Sequence, residues 1–314
     1  MTQKITFGFR VPDYPVDGTP FKQFRDQIYS SLDAAQAGLG SAWIADHFFP
    51  WQASMDQTAA TPEAWTMISY LAGRYPALTL GSIVLSQAYR PPALLAKMAA
   101  SLQELSDGRF VLGIGAGWKE NEYRAYGYDF PAVGTRIDQL EEAVQVIRAM
   151  WSQDAPSFSG KHYRIQDAYC QPRPAPQPIL MIGGGGRKRT LRIAAQYADW
   201  WNFPGGTPEN YQELLGVLQE HCQAIGRDYA SIRKTWCNDC VAVAPTREAA
   251  LRQAQASRFY SPESAMLGTP DEVAAQVRRF VDMGASHFIF RFADFPSTAG
   301  LELFVKEVVP QFAD

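Results

Sequence analysis

His47 and Asp46 close a run of small and apolar residues, Ser41-Ala42-Trp43-Ile44-Ala45, and bring a titratable pair to the end of what reads as a strand. A histidine placed there can give or take a proton near neutral pH. Two glycine-rich runs suggest a ligand. Gly113-Ile114-Gly115-Ala116-Gly117-Trp118 ends an apolar segment, and glycines at such an exit let a flat molecule approach the backbone and use its N–H groups. Gly183-Gly184-Gly185-Gly186, followed by Arg187-Lys188-Arg189-Thr190, reads as the opening of a helix whose free N–H groups and cations would seat a phosphate. Trp43, Trp51, Trp118, Trp200 and Trp201 offer flat apolar surface for an aromatic ring. Each feature also has a plainer reading: a bent strand, a solvated turn, a packed core.

Absent patterns narrow the chemistry. A dinucleotide fingerprint needs a third glycine at position 118 or 120, where Trp118 and Glu120 stand. No Gly-Lys-Ser/Thr forms a Walker loop, no Gly-x-Ser-x-Gly forms a nucleophile elbow, and the 4 histidines never fall at metal-ligand spacing, so no metal is expected. Cys237-Asn238-Asp239-Cys240 has redox or zinc-like spacing, with His221-Cys222 as a conceivable second half. It falls in a predicted strand, however, where residues three apart face opposite ways, and the cysteines read as core. With no metal and no acid/base cluster, a bound organic cofactor is the better source of redox chemistry.

These residues must be held by something, and the rest of the chain supplies a repeating frame. Apolar segments at residues 4–10, 41–48, 78–85, 108–117, 178–182, 199–203, 234–243 and 287–292 read as eight strands. Between them lie helical patterns: residues 21–37, one capped at Thr61-Pro62, one opened by Pro91-Pro92 with a stripe through Leu94, Leu95, Met98, Leu102 and Leu105, and 134–151. Thr269-Pro270-Asp271-Glu272 is a capping box. About eight strand–helix units predict an α/β fold, a closed (β/α)8 TIM barrel in one domain spanning 1–314, with an insertion after strand four at about 153–177. In such a barrel the strands' carboxyl ends carry the chemistry, and His47 and both glycine runs fall there.

The chain has 314 residues, 46% of them hydrophobic, and a formal net charge of -3, which argues against nucleic acid as a partner. No apolar run is long enough for a membrane helix, and Met1 to Ile5 leads into a strand without a signal-peptide core, which predicts a cytoplasmic enzyme acting on a small molecule.

Trp43-Ile44-Ala45-Asp46-His47-Phe48, Tyr89-Arg90-Pro91-Pro92, Ser106-Asp107-Gly108-Arg109-Phe110, Asn121 to Gly127, residues 178–190 and Leu267 to Val273 together resemble the luciferase-like monooxygenase superfamily almost from end to end. Within it the chain is similar to the coenzyme F420-dependent oxidoreductases. The resemblance implies an F420 ring, or alternatively FMN, across the barrel mouth, with His47 facing the ring's reactive edge. It implies a non-proline cis peptide at Ile83-Val84 and a ring-lining role for Gly115, Ala116, Gly117 and Trp118. Gly183, Gly184, Gly185 and Gly186, with Arg187, would take the phosphate. A sugar-phosphate dehydrogenase of the superfamily has a catalytic glutamate where this chain has Trp118, and Glu120 and Glu122 are not equivalent to it, so that acid/base scheme does not transfer. The expected reaction is hydride transfer between the cofactor and a small organic substrate, with His47 and Asp46 handling the proton. The alternatives are an FMN-dependent monooxygenase served by a separate flavin reductase, and a barrel that binds flavin without turnover. A homodimer is expected by analogy.

Overall fold

The computed structural model describes residues 4–16, 18–52 and 54–313. Met1, Thr2 and Gln3, part of the stretch from which the amino terminus was read, lie outside the described residues. Eight parallel strands form a closed ring: β1 (Thr6–Arg10), β2 (Ser41–Ile44), β3 (Thr79–Ser82), β4 (Phe110–Gly115), β5 (Ile179–Gly183), β6 (Trp200–Pro204), β7 (Arg233–Val243) and β8 (Ala285–Phe292). Each pairs with its sequence neighbour, and β8 pairs back onto β1 with Thr6 beside His287. This is the expected (β/α)8 barrel. After β3 the chain passes through a cis Ile83-Val84 peptide, as the resemblance implies, and Leu85–Ser86 rejoins the sheet against β4.

The ring is filled twice over. Inside it, Trp43, Val111, Met181, Cys237 and Ile289 point inward from β2, β4, β5, β7 and β8 as a packed plug. Outside it, a continuous apolar layer joins the strands to the helices, including Phe24, Ile28 and Leu32 of α1 (Phe21–Ala35) and Leu140, Val144, Ile147 and Trp151 near the insertion. Burying one such side chain contributes roughly 1.5–3 kcal/mol, so this layer dominates the fold's stability.

Local chemistry moves several helix boundaries. Helix α2 (Ala64–Arg74) starts after Glu63, whose carboxylate accepts from the N–H groups of Trp65 and Thr66, whereas Thr61 donates to the Ala59 carbonyl within the loop. Helix α3 (Pro92–Leu105) buries Leu95, Leu102 and the alanines between them, leaving Leu94 and Leu105 exposed; small residues let it lie closer to the sheet than a leucine stripe would. A short helix, α4 (Glu120–Ala125), precedes α5 (Val133–Ser152). Helix α6 (Thr190–Tyr197) begins beyond the cations, not at the glycines. Then come α7 (Pro208–Ala224), α8 (Arg247–Ala256) and α9 (Pro270–Asp282), the last opened by the expected capping box between Thr269 and Glu272.

Between α5 and β5 a two-rung antiparallel hairpin pairs Phe158–Ser159 with Arg164–Ile165. Glu142 of α5 accepts the backbone N–H groups of Lys161, His162 and Tyr163, and the Tyr163 hydroxyl donates to Gln87 at 2.6 Å. The segment is thereby tied to the carboxyl rim beside Ser86.

Candidate active site

At the carboxyl ends of the strands lies a cavity of about 590 Å³ that His47, Ile83, Val84, Gly115 to Trp118 and Gly183 to Gly186 all line. Its size suits an organic cofactor or substrate. The residues from β2, β3, β4 and β5 singled out in the sequence therefore share one space.

His47 is held by Glu122, a residue outside the pair expected from the sequence. Its Nδ1 lies 3.0 Å from one carboxylate oxygen of Glu122 and 3.1 Å from the other. Glu122 is fully buried on α4, and it also accepts from the Phe48 N–H at 3.1 Å and the Tyr89 hydroxyl at 3.3 Å. Burial and the adjacent Glu122 carboxylate push the Tyr89 phenol well above its ordinary pKa, so Tyr89 remains a donor. With Nδ1 committed, Nε2 is the ring nitrogen left for a ligand. A signal for Glu122 was available: the next residue, Tyr123, is apolar in a polar run, and one helical turn there turns both residues inward.

Asp46 is not the partner of His47. Both its oxygens are taken by Arg90, at 3.0 and 3.1 Å, and the Ser86 N–H donates to it at 2.9 Å. Arg90 also pairs with Glu63. The chain Glu63–Arg90–Asp46 ties α2 to the ends of β2 and Leu85–Ser86, and the pairing compensates the burial of Asp46 and Arg90.

The glycines serve packing first. A Cβ on Gly113 would run into the Ser82 carbonyl, and one on Gly117, at φ +73°, would run into the Tyr123 hydroxyl. Cβ atoms on Gly115 and Gly183 would each come within 3.0 Å of Val84, from 2.9 and 2.8 Å respectively. The Val84 side chain thus sits between two glycine strands, and Ile83 and Val84 form the cavity floor. Arg187 does not line the cavity; it pairs with Glu213 on α7, and Arg189 pairs with Asp138 on α5. Arg187 and Arg189 of the expected phosphate seat are therefore turned to carboxylates, and what faces the cavity is the glycine backbone with Thr190.

The tryptophans divide. Trp43 and Trp201 are wholly buried, and Trp43 packs against Trp200 and His287 at the amino-terminal pole. Trp51 and Trp118 line the cavity instead, with ring centroids 6.4 and 5.8 Å from that of His47.

Cys237 and Cys240 are buried free thiols, and among the described residues no group of three or more His, Cys, Asp or Glu could hold a metal. The assumption of a regular strand fails here, because the β7–β8 register shifts between Asn238 and Val241. The Asn238 side chain accepts from the Cys240 N–H and donates to the Ser264 carbonyl. Asp239, from the middle of this irregularity, lines the cavity and pairs with Arg10.

The family model described as luciferase-like monooxygenase matches residues 4–266 of the chain. The chain belongs to that family. Among its luciferase-like relatives, the F420-dependent glucose-6-phosphate dehydrogenase of Kineococcus radiotolerans is 32% identical, over 89% of this chain and 90% of that protein. The F420-dependent hydroxymycolic acid dehydrogenase of Mycobacterium tuberculosis is 33% identical, over 76% of this chain and 65% of that protein. A solved F420-dependent secondary alcohol dehydrogenase, in complex with an F420-acetone adduct, shares the fold with a TM-score of 0.84 at 22% identity, covering 99% of this chain and all of that one. Among the described residues no helix is long and apolar enough to cross a membrane.

Proposed function

We propose that this oxidoreductase transfers a hydride between F420 and a small organic substrate, with His47 exchanging the substrate proton. The observation that carries the reading is His47 Nδ1 held 3.0 Å from the buried Glu122 carboxylate, at the edge of a cavity floored by Ile83-Val84 and glycine backbone. F420-dependent relatives at 32% and 33% identity support the cofactor.

The residues present fit a flat ring with an anionic tail. Val84, backed by Gly115 and Gly183, gives a smooth apolar floor, and although the Gly184 N–H is taken by the Asn202 carbonyl, the Gly185 and Gly186 N–H groups remain for phosphate oxygens. When bound, F420 supplies the two-electron chemistry that no side chain of the cavity can perform. The protein's share is orientation and proton transfer. Donation of Nδ1–H to Glu122 fixes the tautomer in which Nε2 is a base, and the carboxylate stabilises the imidazolium once Nε2 has taken an alcohol proton. In the reverse direction the same imidazolium protonates the developing alkoxide. Asp46 acts through Arg90, positioning the loop on which His47 sits. Trp51 and Trp118 shield the imidazole from bulk water.

Titrating the purified protein with F420 and with FMN, following fluorescence quenching, tests the cofactor; saturable binding of F420 in preference to FMN is expected. His47→Ala should keep F420 binding and lose turnover of secondary alcohols or ketones. Absence of F420 binding, or unchanged turnover in that variant, would remove the reading.

A further inference from the structure

The charged side chains around the cavity are Arg10 and Lys119 against Asp46, Glu122 and Asp239, with His47 among them. Neither cation is free. The Lys119 ammonium donates to the Pro50 carbonyl at 2.8 Å and lies over the Phe49 ring, and burial draws its pKa below the usual lysine value. Arg10 is paired with Asp239, and the two differ in depth: the Arg10 side chain is 8% exposed, that of Asp239 32%. Behind them Arg291 pairs with Asp13 at 2.7 Å, both almost fully buried, and Asp13 also lies 3.8 Å from Arg10. Two cations and two carboxylates thus form a closed, neutral cluster at the ends of β1, β7 and β8, and its most exposed member is a carboxylate.

We propose that the substrate end of this cavity admits uncharged alcohols and ketones and rejects anions, and that Asp239 enforces this by standing in front of Arg10. The proposal rests on the hydride-transfer reading for which end the substrate occupies. A phosphate or carboxylate in this cavity finds Arg10 already paired with Asp239 and Lys119 already held by the Pro50 carbonyl, and loses its hydration with no ion pair in return. An uncharged molecule loses little, and gains the faces of two tryptophans. The irregular Asn238–Val241 stretch places Asp239 on the cavity wall beside Arg10, which gives the Cys-Asn-Asp-Cys sequence a purpose that needs neither metal nor disulfide. In the oxidising direction the carbinol C–H bond breaks with its electron pair passing as hydride to oxidised F420. The hydroxyl proton goes to His47 and a C=O bond forms; reduction of a ketone returns both. Every charge in this sequence is balanced without an ionic group on the substrate.

Cyclohexanol and glucose 6-phosphate separate the alternatives. With the F420-loaded protein, cyclohexanol should be oxidised, while glucose 6-phosphate should be neither oxidised nor a competitive inhibitor. In Asp239→Asn, Arg10 loses its screening carboxylate, and glucose 6-phosphate should bind about tenfold or more tighter than to the wild type. Asp239→Glu, which keeps the charge, should go on rejecting it. Calorimetric titration of glucose 6-phosphate into each protein reads the same difference without turnover, so loss of the hydride-transfer reading would leave this comparison intact. Tight binding or oxidation of glucose 6-phosphate by the wild type, or equal binding by wild type and Asp239→Asn, would overturn the proposal. Should both variants fail to fold, tight binding of glucose 6-phosphate by the wild type would still overturn the proposal.

Discussion

A histidine beside an aspartate in sequence invites the two to be read as a catalytic pair, yet the neighbour that matters to His47 is 75 residues away. Glu122 has the position and Asp46 does not, because Asp46 is saturated by Arg90 and the Ser86 N–H. This divides the expected effects. His47→Ala should lower kcat by about 10²–10⁴-fold, the usual range for a general base. Glu122→Gln keeps the shape but weakens support of the imidazolium, and should lower kcat by a smaller factor, about tenfold, with F420 affinity and substrate KM nearly unchanged. A Glu122→Gln loss confined to KM, measured under the same conditions, would mean the carboxylate acts on binding and not on the proton. The thiols offer a separate check. Burial pushes Cys237 up to about 12 and Cys240 up to about 11, so neither supplies thiolate at neutral pH. A disulfide-exchange reagent should leave both unmodified in the folded protein and label them after denaturation.

The elements tell which parts of the site the sequence could reveal. Strand and helix periodicity placed β2, β4 and β5 and their exits, and through them His47 and both glycine runs, because an inward or outward side chain leaves its mark every second or every 3.6 residues. Long-range pairing leaves no such mark: nothing local says that Arg187 will choose Glu213, or that Asp46 will be taken by Arg90. Regular periodicity also misled at β7, where a register shift aims Asp239 at the cavity. The glycine exit was recognised for the right position but a different cause, since at Gly113 and Gly117 the space a Cβ would need holds protein atoms. Gly117→Ala should therefore act on the fold: left-handed backbone and collision with the Tyr123 hydroxyl predict a loss of about 1–3 kcal/mol, read as a lowered midpoint in urea. Because Tyr123 follows Glu122 on α4, the same variant should also disturb the His47 partner and lower kcat. An unchanged midpoint would show that α4 can retreat from β4 freely.

At the scale of the whole barrel, its two poles answer to pH differently. The amino-terminal pole is sealed around His287, which lies between Trp43 and Trp200 and makes a 2.7 Å hydrogen bond with the Thr6 hydroxyl. Burial, helped by the nearby Arg233 charge, holds its pKa well below 6.5, so His287 stays neutral in the fold while the unfolded chain protonates near that value. The unfolded state then binds the extra proton, and stability falls as pH drops through and below 6.5, by at most about 1.4 kcal/mol per pH unit from this residue. Stability from His287 is complete above 6.5. The carboxyl pole responds in more acid solution. Burial opposes the Asp13 charge, but Arg291 and Arg10 outweigh it and hold the carboxyl below its ordinary range, so its stabilisation is present above about pH 4 and is lost only as pH falls further. Asp294 works in the opposite sense, since burial raises its pKa, and a difference between variants cancels its contribution. Urea unfolding of the wild type and His287→Gln between pH 7.5 and about 5 isolates the histidine. The wild type should lose stability more steeply by up to one proton's slope, and parallel curves would show that His287 is charged inside the barrel.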